Sequence, residues 1–157
     1  MHDNRRGGGT ITYISLSTHS SQVFFPPNLI KPSGIECNFV RFVDCNDDSR
    51  NAFLLCVYLP PGLKADILAS FVEYVTECFD YILAIYPDAS LYVCGDLNRY
   101  DLPFLSRDFN LINIVNIPTF GDAILDKFYC QSDTLYSFKI TTAPGSQSGC
   151  CLSRCLC

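Results

Sequence analysis

No stretch of this sequence is apolar for long enough to cross a membrane. The longest uninterrupted run, Ala52 to Leu59, covers eight residues, far below the ~20 that a spanning helix requires. The opening MHDNRRGGG is polar and lacks the apolar segment of a secretory signal, so the expectation is a nuclear or cytoplasmic chain that is not secreted. Basic residues are also scarce. Eleven against sixteen acidic ones give a formal net charge of −5, which opposes non-specific attraction to phosphate backbones. None of the ten cysteines falls in a CxxC, the spacing most diagnostic of a structural zinc site. No internal repeat is present, which sets solenoid architectures aside.

What remains is a globular composition. The chain has 157 residues, 48% hydrophobic and 17% charged, the size and character of one folded domain. From Lys64 to Asp101, seven acids (Asp66, Glu73, Glu77, Asp80, Asp88, Asp96, Asp101) stand against Lys64 and Arg99. A divalent cation could offset some of that charge, but helix carboxylates ordinarily form a solvated face. Six cysteines are scattered and four crowd the last eight residues. Cys56 in FLLCVYL and Cys94 in SLYVCGD sit in apolar strands, where a free thiol behaves as a small hydrophobe. Cys155 and Cys157 form a Cys-x-Cys with no partnering histidine, so a cysteine-rich zinc-binding module is the weakest of the functional readings.

Periodicity orders the elements. TITYISLS, after the Gly7 to Gly9 run, alternates as a strand. The Pro- and Gly-containing loop FFPPNLIKPSG leads to a second strand, IECNFVRFV, and DCNDDSRN reads as a turn. AFLLCVYL has the continuous apolar character of a strand covered on both faces, stopped by Pro60, Pro61 and Gly62. Between Lys64 and Ile85 apolar residues recur three and four apart, which predicts an amphipathic helix closed by Pro87. SLYVC is a short buried strand ending at Gly95, and further strands are expected at Leu111 to Val115, Ile124 to Tyr129 and Leu135 to Thr141. Many strands with one strong helix imply a mixed α/β layered fold. The closing SQSGCCLSRCLC keeps neither period and predicts no element.

The strongest chemical signal is LYVCGDLNRYD. A strand ends at Gly95, which permits tight backbone geometry, and Asp96 and Asn98 follow two apart. In an extended chain both side chains would point the same way. The carboxylate could then orient an attacking water while the carboxamide holds a phosphate or carbonyl oxygen.

Four motifs in order, RRGGGTITYIS, the strand ending VYLPPG, CGDLN and PTFGDAILD, resemble the endonuclease/exonuclease/phosphatase superfamily, and within it the endonuclease domain of non-LTR retrotransposons. The resemblance covers roughly residues 5 to 145. It implies an α/β fold, a four-layer α/β/β/α sandwich in incomplete form, with a partial domain over residues 1–145 and a divergent Cys-rich tail over 146–157. It further implies Mg-dependent cleavage of a DNA phosphodiester, with DNA as partner, no membrane, and a monomeric chain. By resemblance Tyr58 contacts the scissile phosphate, Asp96 orients or deprotonates the attacking water, and Asn98 binds the phosphate and helps place Asp96. Asp126 resembles the carboxylate that orients a catalytic histidine, and Thr119 and Arg99 are the candidate substrate-binding residues.

The departures from that pattern bear on activity. The family's upstream Asn and metal-binding Glu would precede the glycine-rich strand, where this chain begins, and Glu36 does not match that position. The family's closing Ser-Asp-His has APGSQSGCC in its place, and the histidines are His2 and His19. No metal ligand is therefore assigned, and magnesium binding is expected to be weak or absent. The sequence reads as a fragment of such an endonuclease, catalytically impaired; the alternatives are a non-catalytic relic or a superfamily phosphatase.

Overall fold

In the computed structural model, residues 10, 12–14, 19–43, 51–131, 137–142 and 150–155 are described. Their strands are β1 (Ser20–Gln22), β2 (Glu36–Val43), β3 (Asn51–Tyr58), β4 (Ser90–Asp96), β5 (Leu111–Asn113), β6 (Asp126–Gln131), β7 (Ser137–Thr142) and β8 (Cys150–Cys155), and their helices α1 (Ala65–Ile85) and α2 (Pro103–Phe109). Six strands form one mixed sheet in the order β1-β2-β3-β4-β6-β5, and β7 and β8 form a separate antiparallel pair. Only β3 and β4 run parallel within the large sheet, because α1 carries the chain back between them; every other neighbour is antiparallel.

Alternation sorts the sheet into two faces. Phe39 of β2, Phe53, Leu55 and Val57 of β3, and Leu91 and Val93 of β4 point one way and are buried. They join Phe71, Val75, Cys78, Phe79 and Ile82 of α1, and Phe104 and Leu105 of α2, in a single core. Both helices therefore cover the same face. The three-and-four spacing of α1 puts its apolar stripe inward and leaves Asp66, Glu73, Glu77 and Asp80 exposed, the solvated acidic face expected of them. Phe79 is central to this packing: its ring meets Phe39 edge-on at 6.1 Å and Phe109 at 5.1 Å, tying α1 to β2 and to the end of α2. The opposite face carries a much smaller buried group, Ala52, Tyr92 and Cys130, with Phe42, Leu54, Ile114 and Phe128 packed partly against it.

Several boundaries depart from the sequence expectation for local reasons. Helix α2 was not foreseen: seven residues are too few for a period to show, although Pro103 at its first turn and Asn110 in the left-handed conformation at its end are start and stop signals. β5 stops two residues early because the Asn113 side chain binds its own strand end, its Oδ1 accepting from the Val115 N–H at 3.2 Å and its Nδ2 donating to the Val115 carbonyl. β6 begins at Asp126 rather than Ile124 because the Leu125 and Asp126 N–H groups are held by the Thr119 hydroxyl. Cys150–Cys155 pairs with Ser137–Thr142 where neither period predicted an element. The strand expected over 10–17 is not formed at residues 10 and 12–14, and its remainder lies outside the described residues. So do most of the turn expected at 44–51 and the 145/146 boundary of the Cys-rich tail.

Of the four layers expected, the described residues form one helical layer, one six-stranded sheet and the small β7/β8 sheet. No described helix is long and apolar enough to cross a membrane. Because Phe79 is fully buried and joins three elements, Phe79→Ala should cost about 3–5 kcal/mol. Urea unfolding followed by circular dichroism measures this, and a loss below about 1 kcal/mol would show that α1 is not seated as described.

Candidate functional site

Strand register assembles the site. Tyr58, the last residue of β3, pairs with Asp96, the last of β4, and Asp96 pairs across its other edge with Asp126, the first of β6. Residues in register on neighbouring strands share a face, so the three side chains form one row on the face turned away from the helices. Each comes from a different motif, and each is half-buried. The row lies at the carboxyl ends of the two parallel strands, the usual place for chemistry on an open α/β sheet.

Gly95 makes this row possible. Its φ of 140° is open to glycine and strained for other residues, and a Cβ built there would stand 1.9 Å from the Val57 carbonyl oxygen. β4 can close against β3 at this point only because nothing projects between them.

Asp96 and Asn98 meet by a different route from the one the sequence suggested. The chain after Asp96 is not extended: Asn98 has φ 50°, left-handed, and turns back on the strand end. Its backbone N–H donates to Asp96 Oδ1 at 2.9 Å, and its Nδ2 donates to the Leu59 carbonyl at 2.7 Å. The two donated bonds fix the carboxylate and join the loop after β4 to that after β3. Asparagine suits both demands, since it tolerates the left-handed region and carries two amide hydrogens, of which one remains for a ligand. The Leu59 N–H donates to the Asp96 carbonyl at 2.9 Å, completing the joint.

Thr119 reaches the site through Asp126. Its Oγ1 accepts from the Leu125 and Asp126 N–H groups at 3.0 and 3.1 Å, and its hydroxyl also hydrogen-bonds the Asp126 side chain. The Asp126 carboxyl is nonetheless pushed above its ordinary range, first by burial and then by the nearby Asp96 charge, with the Thr119 bond opposing both. Arg99 is exposed one residue beyond Asn98.

Two residues of this region went unread in the sequence, and a third, Glu36, was read there only as not matching the metal-ligand position. Glu36 pairs with Tyr58 and so occupies the next place in the row, exposed and 4.0 Å from the Lys31 Nζ. Counting back from the turn between Val43 and Asn51 would have found it, because the hairpin register follows from where the turn closes. Tyr100 pins the loops from beneath: its hydroxyl accepts from the Leu63 N–H at 2.5 Å. Lys127, 5% exposed, donates from Nζ to the Tyr100 carbonyl at 2.6 Å and to Asp101 at 2.5 Å. A lysine alternating with apolar residues in KFYC was the available signal.

The magnesium implied by resemblance can be tested against these residues. Glu36 is two strand spacings from Asp96, about 9.5 Å, and among the described residues no three His, Cys, Asp or Glu side chains stand close enough to hold a metal ion. The described residues do not fit a formed metal cage.

Neither a protein-family model nor a curated protein matches the sequence. Solved structures do. The human Nocturnin catalytic domain, determined with a bound sulfate anion, is similar at a TM-score of 0.53 and 14% identity, over 77% of this chain and 49% of that one. An endonuclease/exonuclease/phosphatase family protein from Bacteroides thetaiotaomicron gives 0.46 at 8% identity, over 75% of this chain and 50% of that one. The chain thus spans about half the length of the structures it matches. The fold is the one the motifs led us to expect, the endonuclease/exonuclease/phosphatase architecture in incomplete form.

Two outcomes follow from the geometry. Gly95→Ala should destabilise by about 2–4 kcal/mol or prevent folding, since the added methyl group meets rigid backbone; an unchanged urea midpoint would rule out the close β3/β4 approach. The second concerns pH. A carboxyl whose folded pKa is raised binds its proton more tightly in the native state, so its contribution to stability is lost as pH rises from the ordinary 3.8 through the raised value. Asp126→Asn should therefore raise the thermal midpoint at neutral pH and leave it nearly unchanged below the ordinary carboxylate range. A variant less stable at neutral pH would mean that the Thr119 bond outweighs burial and repulsion.

Proposed function

We propose that this chain carries part of a DNA endonuclease site of the non-LTR retrotransposon type, and that turnover by these 157 residues is impaired. The observation that carries the reading is the row itself: the tyrosine of VYLPP, the aspartate of CGDLN and the aspartate of ILD lie side by side on three neighbouring strands. In this reading DNA is the partner, the chain acts as a monomer in the nucleus or cytoplasm, and magnesium is the family's ion.

The division of labour follows from the bonds already made. Asp96 has one carboxylate oxygen fixed by the Asn98 N–H and uses the other to take a proton from water as it attacks phosphorus. The second amide hydrogen of Asn98 and the Tyr58 hydroxyl donate to phosphate oxygens, where negative charge grows. Arg99, exposed beside them, meets a flanking phosphate.

Impairment follows from what stands near Asp126. In the resembled site that carboxylate orients an imidazole. Here His19 precedes Ser20, which pairs with Phe42, six residues along β2 from Glu36; at ~3.4 Å per residue that is about 20 Å from the row. Among the described residues, Asp126 interacts with Asp96 and Thr119. The two carboxylates repel an incoming phosphodiester, and among the described residues no histidine stands beside Asp126 to offset them.

The 157-residue chain should give no detectable nicking of supercoiled plasmid in Mg²⁺ or Mn²⁺. Its weak binding to a duplex oligonucleotide should tighten roughly three- to ten-fold in Asp96→Asn, as a repulsive charge is removed. Nicking that Asp96→Ala abolishes would refute the impairment. Affinity unchanged by Asp96→Asn would favour a relic that no longer seats DNA on the row, and hydrolysis of phosphomonoesters without nicking would favour a superfamily phosphatase.

A further inference from the structure

One row behind Tyr58 and Asp96, Cys56 of β3 and Cys94 of β4 are in register, on the same face, with their Sγ atoms 3.3 Å apart. Both are half-buried, and their contact adds a pairing that the reading of each as a small hydrophobe did not contain. The Thr12 Oγ1 lies 3.2 Å from the Cys56 Sγ and 3.1 Å from the Asn38 Oδ1, and Asn38 is the β2 residue in register with Cys56. Neighbouring strands lie about 4.8 Å apart, inside the roughly 4.4–6.8 Å between Cα atoms that a disulfide spans.

We propose that Cys56 and Cys94 are a redox-active dithiol, oxidised to a disulfide by a hydroperoxide and thereby clamping β3 to β4 directly behind the site row. Cys56 is the attacking group. The hydrogen bond from Cys94 outweighs burial and, with Thr12 adding to it, lowers its thiol from 9.0 to about 7, so a thiolate is present at neutral pH. Two other described thiols are set apart from this chemistry. Burial pushes Cys37 up to about 11 and Cys78 up to about 12, and both stay protonated.

The chemistry proceeds in two steps. The Cys56 thiolate attacks one peroxide oxygen, the O–O bond breaks, and hydroxide leaves, giving a Cys56 sulfenic acid. The Cys94 sulfur then attacks the Cys56 sulfur, and its thiol proton leaves with the displaced hydroxyl as water. Two thiols lose two electrons in all, and one hydrogen peroxide becomes two waters once the first thiol proton meets the hydroxide. A thiol attacking a neighbour already in contact needs no strand movement beyond closing the gap between the sulfurs. This chemistry is independent of phosphodiester cleavage, so it stands or falls separately from the nuclease reading.

The test treats the reduced full-length chain with hydrogen peroxide, alkylates the remaining thiols and maps the peptides by mass spectrometry. The expected product loses two hydrogen atoms and links Cys56, in tryptic peptide 51–64, to Cys94, in peptide 65–99, with Cys78 of that peptide alkylated. In Cys94→Ser, whose hydroxyl keeps a donor beside the Cys56 sulfur, a Cys56 sulfenate should accumulate and be trapped by a 1,3-dione, whereas Cys56→Ala should trap Cys94 at least about ten-fold more slowly. Cys56 linked to another cysteine, or Cys37 or Cys78 oxidised before Cys56 in the unmutated chain, would overturn the proposal. That last arm needs no variant to fold.

Discussion

The absence of a side chain at Gly95 is the constraint on which the rest of this structure depends. β3 and β4 are the parallel pair at the middle of the sheet, and at their carboxyl ends the Val57 carbonyl occupies the space a Cβ would need. That approach sets the register Tyr58 to Asp96, and from it the Leu59 and Asn98 bonds that bind the two following loops. Shift the register by one residue and every side chain changes face: Val57 would enter the row and Tyr58 would face the helices. Glycine therefore acts here through backbone geometry, and the chemistry next to it inherits its position.

Charge is arranged as tightly as shape. Lys127 is the nearest buried cation to the row in sequence, but it belongs to the opposite face and spends its charge on Asp101 and the Tyr100 carbonyl. It thereby holds the loop that carries Asn98 without neutralising Asp96 or Asp126. The net result is a rigid, acidic row. Rigidity favours catalysis because oriented groups need no reorganisation during reaction, whereas uncompensated negative charge opposes any phosphate substrate. Those two properties point in opposite directions, and their conflict is the physical basis for reading the site as built for phosphodiesters yet poorly able to turn them over.

How much of this was legible in the sequence depended on the range of the interaction involved. The helix from 65 to 85 was readable because its period repeats over twenty-one residues, and β2, β3 and β4 because their apolar content is dense. The association of Tyr58, Asp96 and Asp126 came from motif order, which carries geometry only by resemblance. Registers, by contrast, depend on how neighbouring strands pair, so Cys56 beside Cys94 was hidden, and Glu36 beside Tyr58 could be reached only by counting back from the turn. Asn98 was misplaced for a related reason: alternation presumes extended backbone, and a left-handed residue breaks it. The Thr119 hydroxyl capping Leu125 and Asp126 moved the start of β6 by two residues, an effect no propensity scale contains.

The two faces of the sheet differ in how strongly packing constrains their residues. Phe53, Leu55 and Val57 face the helices and are almost wholly buried, while Leu54, Cys56 and Tyr58, alternating with them on the same strand, are only partly covered. Substituting the first set opens cavities costing several kcal/mol each, enough to unfold a domain of ordinary stability. Changing the second set costs far less, because less contact and less burial are lost. Selection for folding alone therefore preserves one face and releases the other. Asp126 lies on that face, half-buried beside a second carboxylate, and burial and that charge both raise its pKa, so packing alone gives no reason for a carboxylate there.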